Sequence, residues 1–230
     1  MIEIKKYSTR QQLIEELTED VLIKLEQGIE NRERASMLLS GGSTPGPLYE
    51  KMSNADFKWD KVWFAPTDER WVDPDHPDSN EKLIRSSLLK NKAGVANYIG
   101  LKSPGNDPFD GLKATAGKLA DLPLPIDVVL LGMGEDGHFA SLFPGLEDTQ
   151  IAMDISSDRL CYPIRRDGEE HNRMSMTYSA ILNSKCIILL FFGAKKHEVF
   201  EEASRKVNDT LPISHLLNQS DVPVYLYWSE

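Results

Sequence analysis

The groups able to do acid–base or anion chemistry fall in a few short segments. The segment GMGEDGH, residues 132–138, places His138 two residues after Asp136 in a glycine-rich stretch. A free imidazole titrates near 6.5, so at pH 7 it is mostly neutral and able to take a proton from water. Glycines at 132, 134 and 137 leave the backbone free to turn Asp136 and His138 toward one ligand. The segment GGSTPG, residues 41–46, offers Gly42, Ser43 and Thr44. Small residues let backbone approach an anion, and the N–H groups of a following helix start point outward. A phosphate there gains charge-assisted hydrogen bonds of roughly 1.5–3 kcal/mol each. TDER, residues 67–70, adds the Asp68 carboxylate and the Arg70 guanidinium, a fork suited to phosphate or carboxylate. Two further cations are candidates. Arg173 directly precedes SMT and reaches a site if its strand continues. Lys196 stands near a helix start, where the helix dipole disfavours a cation unless a bound anion offsets it.

Rival chemistries fit less well. GGSTPG lacks the Gly-Lys-Ser/Thr of a nucleotide P-loop. Pro45 also stands where a serine nucleophile elbow needs glycine. GMGEDGH matches G-x-G-x-x-G in form, but Pro144-Gly145 soon follow and no helix opens directly from it. Asp73, Asp75, His76 and Asp78 invite a metal reading. They lack the glycine and terminal glutamate of a calcium loop, and Pro74 and Pro77 dictate the backbone. His76, His171, His197 and His215 show no ligand spacing, so no metal is expected.

The elements that must position these groups can be read from apolar patterning. A helix follows Ser8 or Thr9, carries Leu13, Ile14, Leu17, Val21, Leu22 and Leu25, and has Gly28 as its stop. Apolar runs at 37–39, 62–65, 126–131, 187–192 and 222–228 read as strands. Helices are expected after Pro45 and Ser79, over 109–119, around Val199 and over 212–217. Continuous apolar strands alternating with amphipathic helices predict an α/β fold. Its sheet is open and mostly parallel, with helices on both faces, in one domain over residues 1–230. GGST, TDER, GMGEDGH and GAKK (193–196) each follow such a strand. Ligands of open α/β sheets bind outside the carboxyl ends of the strands, so these segments are expected to converge.

Composition limits the partners. The chain has 230 residues, with 26 Lys and Arg against 36 Asp and Glu, a formal charge of −10. That balance opposes general binding to nucleic acid or a membrane surface, since both need clustered positive charge. No apolar run reaches the roughly 18–20 residues of a membrane span. The N-terminal segment lacks a signal-peptide core, and two cysteines suggest no disulfide framework. A cytoplasmic protein is expected, with a monomer favoured.

With these residues assembled, the chain resembles the 6-phosphogluconolactonase family along nearly its whole length. The landmarks are LSGGSTP (39–45), DERWV…SN (68–80), LLGMGEDGHFASLFPG (130–145), RMSMT (173–177) and GAKK (193–196). The related glucosamine-6-phosphate deaminases share the GGST opening and a G-x-D-G-H segment. Their pattern after the histidine contains Asn-Glu, where this chain has Leu142 and Phe143. A phenylalanine does no acid–base work. One departure from the lactonase pattern is Phe139, where threonine is common. The resemblance implies hydrolysis of 6-phospho-D-glucono-1,5-lactone to 6-phospho-D-gluconate, a step of the oxidative pentose phosphate pathway, without metal or organic cofactor. It implies His138 as the base that activates water, with Asp136 or Asp68 orienting the imidazole or the water. Gly42, Ser43, Thr44, Arg70, Arg173 and Lys196 would hold the phosphorylated sugar, and backbone N–H groups of 132–137 the oxyanion. The alternatives are a glucosamine-6-phosphate isomerase/deaminase and a non-catalytic sugar-phosphate sensor.

Overall fold

The computed structural model describes residues 2–230. Its strands are β1 (Ile2–Tyr7), β2 (Ala35–Leu39), β3 (Val62–Pro66), β4 (Asp68–Arg70), β5 (Asn97–Tyr98), β6 (Val128–Leu131), β7 (Cys161–Ile164), β8 (Arg173–Met176), β9 (Ile187–Phe192) and β10 (Val224–Ser229). Its α-helices are α1 (Arg10–Arg32), α2 (Gly46–Asn54), α3 (Asn80–Ser87), α4 (Pro108–Leu119), α5 (Glu147–Ala152), α6 (Tyr178–Leu182), α7 (Ala194–Ala203) and α8 (Ile213–Leu217). Seven strands form one sheet in the order β1-β10-β9-β6-β2-β3-β5, with every pair parallel.

Alternate residues of the central strands enter two separate cores, as a sheet covered on both faces requires. Met37, Leu39, Val128, Leu130, Ile188 and Leu190 pack with α1 and α2 residues such as Leu17, Val21, Leu48 and Met52. Leu38, Val129, Leu131, Ile187, Leu189 and Phe191 pack on the other face with Ile181, Phe200, Ala203 and Leu216. The expected open, mostly parallel α/β sheet with helices on both faces is present.

Three features depart from the sequence reading. β1 was not expected: its alternation is broken by Lys5 and Lys6, and Ile4 stays 56% exposed at the sheet edge. Thr9, not Ser8, caps α1, its Oγ1 accepting from Gln12 N–H at 3.2 Å. That helix passes through Gly28 and ends at Arg32, with Glu33 left-handed at φ 61°. Gly28 serves packing instead of termination: an added Cβ would stand 2.6 Å from the buried Asp127 carboxylate. A second sheet, antiparallel in the order β4-β8-β7, is the third feature. Its strands are three or four residues long and partly polar, so they carry almost no periodic signal.

Candidate active site

Chain direction across the large sheet reverses at β2. From β2 the chain goes outward to β3 and β5, then returns to β6 on the other side of β2 and continues to β9 and β10. The loops after β2 and β6 therefore part at a topological switch point, where open α/β sheets bind ligands. The Gly132 N–H donates to Ser40 Oγ at 3.2 Å and ties the two strand ends together. Between them lies a cleft of about 320 Å³, within the usual size for a small-molecule site. Gly42, Ser43, Thr44, Asp68, Arg70, His138 and Lys196 line it, with Asn80, Gly132 and Gly134.

One wall is the turn after β2. Gly42 has φ 80°, a left-handed conformation for which glycine is the easy choice. The N–H groups of Gly42, Ser43 and Thr44 meet no acceptor among the described residues. The turn thus presents unused donors at the mouth of α2, a ready anion seat. Asn80 closes the back of this wall, its amide donating to the Asp68 carbonyl at 2.8 Å. Gly41 has no Cβ because the Asn80 carboxamide occupies that space.

The opposite wall is the loop after β6. His138 Nδ1 lies 2.5 Å from Asp136 Oδ1, and the His138 N–H also reaches that oxygen at 3.2 Å. A carboxylate on Nδ1 takes that nitrogen's proton in hydrogen bonding and leaves the Nε2 lone pair free. Partial burial raises the Asp136 carboxyl, but the charge and hydrogen bonds of His138 outweigh it and hold it below the usual range. Gly134 is required here, since a Cβ would land on the His138 imidazole and on Asp136. The Phe143 ring packs against that imidazole at 4.3 Å. Phe139 lies fully buried against Tyr178, away from the cleft.

The third wall is cationic. The β4–β8 register sets Arg70 opposite Arg173. Like charges directly across strands repel, which an anion between or beside them would relieve. Burial, followed by the Arg70 charge, pulls the Arg173 guanidinium below its ordinary value. Arg70 Nη1 donates to the Asp78 carbonyl at 2.6 Å, and Arg173 Nη1 to the His171 carbonyl at 2.5 Å. Lys196, in the first turn of α7, completes the positive rim.

The structure sorts the expected residues by their place at the cleft. Arg173 sits beside Arg70 on the neighbouring strand and is not among the residues lining the cleft. Asp68 lines it; its carboxylate accepts from Ser141 Oγ at 2.5 Å and makes no bond to His138, so of the two carboxylates it is Asp136 that holds the imidazole, while Asp68 faces the cleft. Of the 132–137 amides, those of Gly132, Gly134 and Gly137 are engaged, on Ser40 Oγ, the His138 carbonyl and the Gly134 carbonyl, which leaves Met133, Glu135 and Asp136 as the unengaged donors among the described residues. Lys195, by contrast, is exposed and pairs with Glu135. The sequence reading passed over Glu69, whose neighbours in DER drew the attention. Its buried carboxylate accepts from the N–H groups of Arg70 (2.9 Å), Asn80 (2.7 Å) and Glu81 (2.7 Å), and from Ser79 Oγ (3.2 Å). It thereby clamps the start of α3 to β4 and holds Asn80 and Asp68 in place.

Fold and cleft define a class: an open α/β protein with an anion-ready turn and a carboxylate–imidazole pair facing each other at its switch point. Comparison with known proteins narrows the class. Residues 8–226 match the family described as glucosamine-6-phosphate isomerases/6-phosphogluconolactonase. A 6-phosphogluconolactonase of Pseudomonas putida is 35% identical over 229 residues, covering 99% of this chain and 93% of that protein. One of Rhizobium meliloti (strain 1021) is 33% identical over 94% of both chains. The crystal structure of a 6-phosphogluconolactonase from Shewanella baltica OS155 superposes with a TM-score of 0.95 at 34% identity, covering 100% of this chain and 98% of that one. This chain belongs to the glucosamine-6-phosphate isomerase/6-phosphogluconolactonase family.

Proposed function

We infer that the protein is a 6-phosphogluconolactonase, hydrolysing 6-phospho-D-glucono-1,5-lactone to 6-phospho-D-gluconate by a histidine-activated water. The observation that carries the mechanism is the Asp136–His138 pair across the cleft from the unused amides of 42–44. The substrate phosphate sits on Gly42, Ser43 and Thr44 with Arg70 and Lys196, and Arg173 adds its field from the neighbouring strand. His138 Nε2 takes a proton from water as the oxygen attacks the lactone carbonyl. Asp136 stabilises the imidazolium that forms. The tetrahedral adduct then collapses, the ring C–O bond breaks, and the leaving oxygen recovers the proton from Nε2. A lactone needs no covalent nucleophile, and general-base catalysis of roughly 10²–10⁴-fold is within reach of one histidine.

Phe143 favours this reading over amino-sugar deamination, because it fills the space beside the imidazole with a ring that cannot exchange protons. The whole chain works as one domain, since β1 and β10, from opposite ends of the sequence, pair in one sheet. A cytoplasmic enzyme agrees with two buried, unpaired cysteines, Cys161 and Cys186. No described helix is long and apolar enough to cross a membrane. The deciding experiment follows acid release from freshly generated lactone, corrected for spontaneous opening. Turnover is expected. Binding of 6-phosphogluconate without turnover would identify a sensor, and ammonia release from glucosamine 6-phosphate a deaminase.

A further inference from the structure

We propose that His76, Asp78 and His171 form a binding site for one divalent transition-metal ion beside the cationic wall of the cleft. Their ligand atoms all lie within 4.8 Å of one another. His171 Nε2 stands 3.3 Å and His76 Nδ1 3.8 Å from Asp78 Oδ2. Adjacent ligands of a tetrahedral zinc ion are about 3.3 Å apart, from bonds of about 2.0–2.1 Å. The His171–Asp78 pair already has that spacing, and the His76 ring needs a shift of roughly 1 Å to complete the triangle. The two imidazole rings meet edge to face, with centroids 5.2 Å apart and planes at 84°. They can therefore converge on one ion without stacking against each other.

The scaffold around the three is firm. Pro77 separates His76 from Asp78 and restricts the backbone between them. The carbonyl of Asp78 is held by Arg70 and that of His171 by Arg173. His76 Nδ1 accepts the Asp78 N–H at 3.2 Å, so this nitrogen already presents its lone pair, and a metal bound there takes the place of that hydrogen bond. Glu170 Oε1, 3.8 Å from His171 Nε2, adds negative charge that offsets the nearby arginines. Two imidazoles with one carboxylate suit zinc, cobalt, nickel or copper, whereas magnesium and calcium require oxygen ligands. Segment 73–78 alone shows no such site, because the third ligand arrives from the loop before β8.

The test uses the full chain freed of metal with a chelator, and Zn²⁺ as the probe in competition with a chromophoric chelator. Uptake of one equivalent is expected. His76→Asn, Asp78→Asn and His171→Asn should each weaken it more than tenfold, since loss of a mere supporting partner costs about 10–100-fold. His138→Ala should leave it unchanged. Co²⁺ added to the unaltered protein should show the intense visible absorption of a low-symmetry nitrogen–oxygen site, a readout independent of variant folding. Affinity weaker than about 1 mM, uptake that follows His138, or uptake indifferent to His76 and His171 overturns the proposal. None of these readouts involves the lactone, so their failure is distinct from failure of the hydrolase reading.

Discussion

His138 has one side-chain partner, and that partner decides which nitrogen can work. With Asp136 on Nδ1, only Nε2 is left to accept a proton. His138→Ala is expected to lower kcat by about 10²–10⁴-fold. Its denaturant midpoint should stay within that of the unaltered protein, because the imidazole is at the surface of the cleft and not in either core. Near-normal turnover in that variant would remove His138 from the base role. Gly134→Ala tests the geometry without touching the imidazole's chemistry. Its new methyl group must displace the ring. A displacement of about 1 Å can cost about 10²-fold in rate, so a large loss of kcat with little loss of stability is expected. These residues could be chosen from the sequence because glycine, aspartate and histidine at this spacing have few other uses. The choice between Asp136 and Asp68 could not, because it depends on side-chain directions that spacing leaves open.

Elements carry the rest of the site. α7 brings Lys196 to the cleft in its first turn, where the helix dipole opposes a cation and an anion favours it. Lys196→Ala should raise KM for the phosphorylated lactone several-fold while leaving an unphosphorylated lactone unaffected. Equal effects on both substrates would show that the lysine does not meet the phosphate. Helix α1 is anchored to β6 through the buried Asp127, whose carboxylate reaches Arg32 at 2.5 Å, Ser36 N–H at 2.8 Å and Lys185 at 3.0 Å. Gly28→Ala pushes a methyl group into that carboxylate and should destabilise the fold by about 1–3 kcal/mol in chemical denaturation. A neutral or stabilising outcome, as expected for an ordinary exposed helix position, would show that the helix shifts to make room. The long helices and apolar strands were legible because burial imposes a period on them. The short segments at 161–164 and 173–176 read as extended, but neither β4 nor the joining of all three into a second, antiparallel sheet was legible, because that pairing is set by their partners.

Over the whole molecule, the charge of −10 is carried around a small positive recess. Acidification toward the acidic isoelectric point relieves the general repulsion. Glu69 adds to this with the same sign. Burial pushes its carboxyl from 4.5 up to about 7, against the opposing pull of the Asn80 and Glu81 amides. Between those values the folded protein holds a proton that the unfolded chain has released. Stability from this group is therefore full below 4.5 and is lost as pH rises through about 7. Thermal or denaturant unfolding should show stability falling from pH 5 to pH 7.5, and Glu69→Gln should flatten that slope. A slope that survives the substitution would assign it to general charge alone. The sheet class, the strand ends and most of the candidate groups beside them were legible in residue order, because apolar periodicity and glycine-rich turns are local properties. That Asp136 and not Asp68 holds the imidazole, that Arg70 faces Arg173, and that His171 joins His76 and Asp78 emerged from the folded chain alone. Each of these is a distance between side chains, set by strand register, loop path and rotamer, and no one-dimensional pattern encodes it.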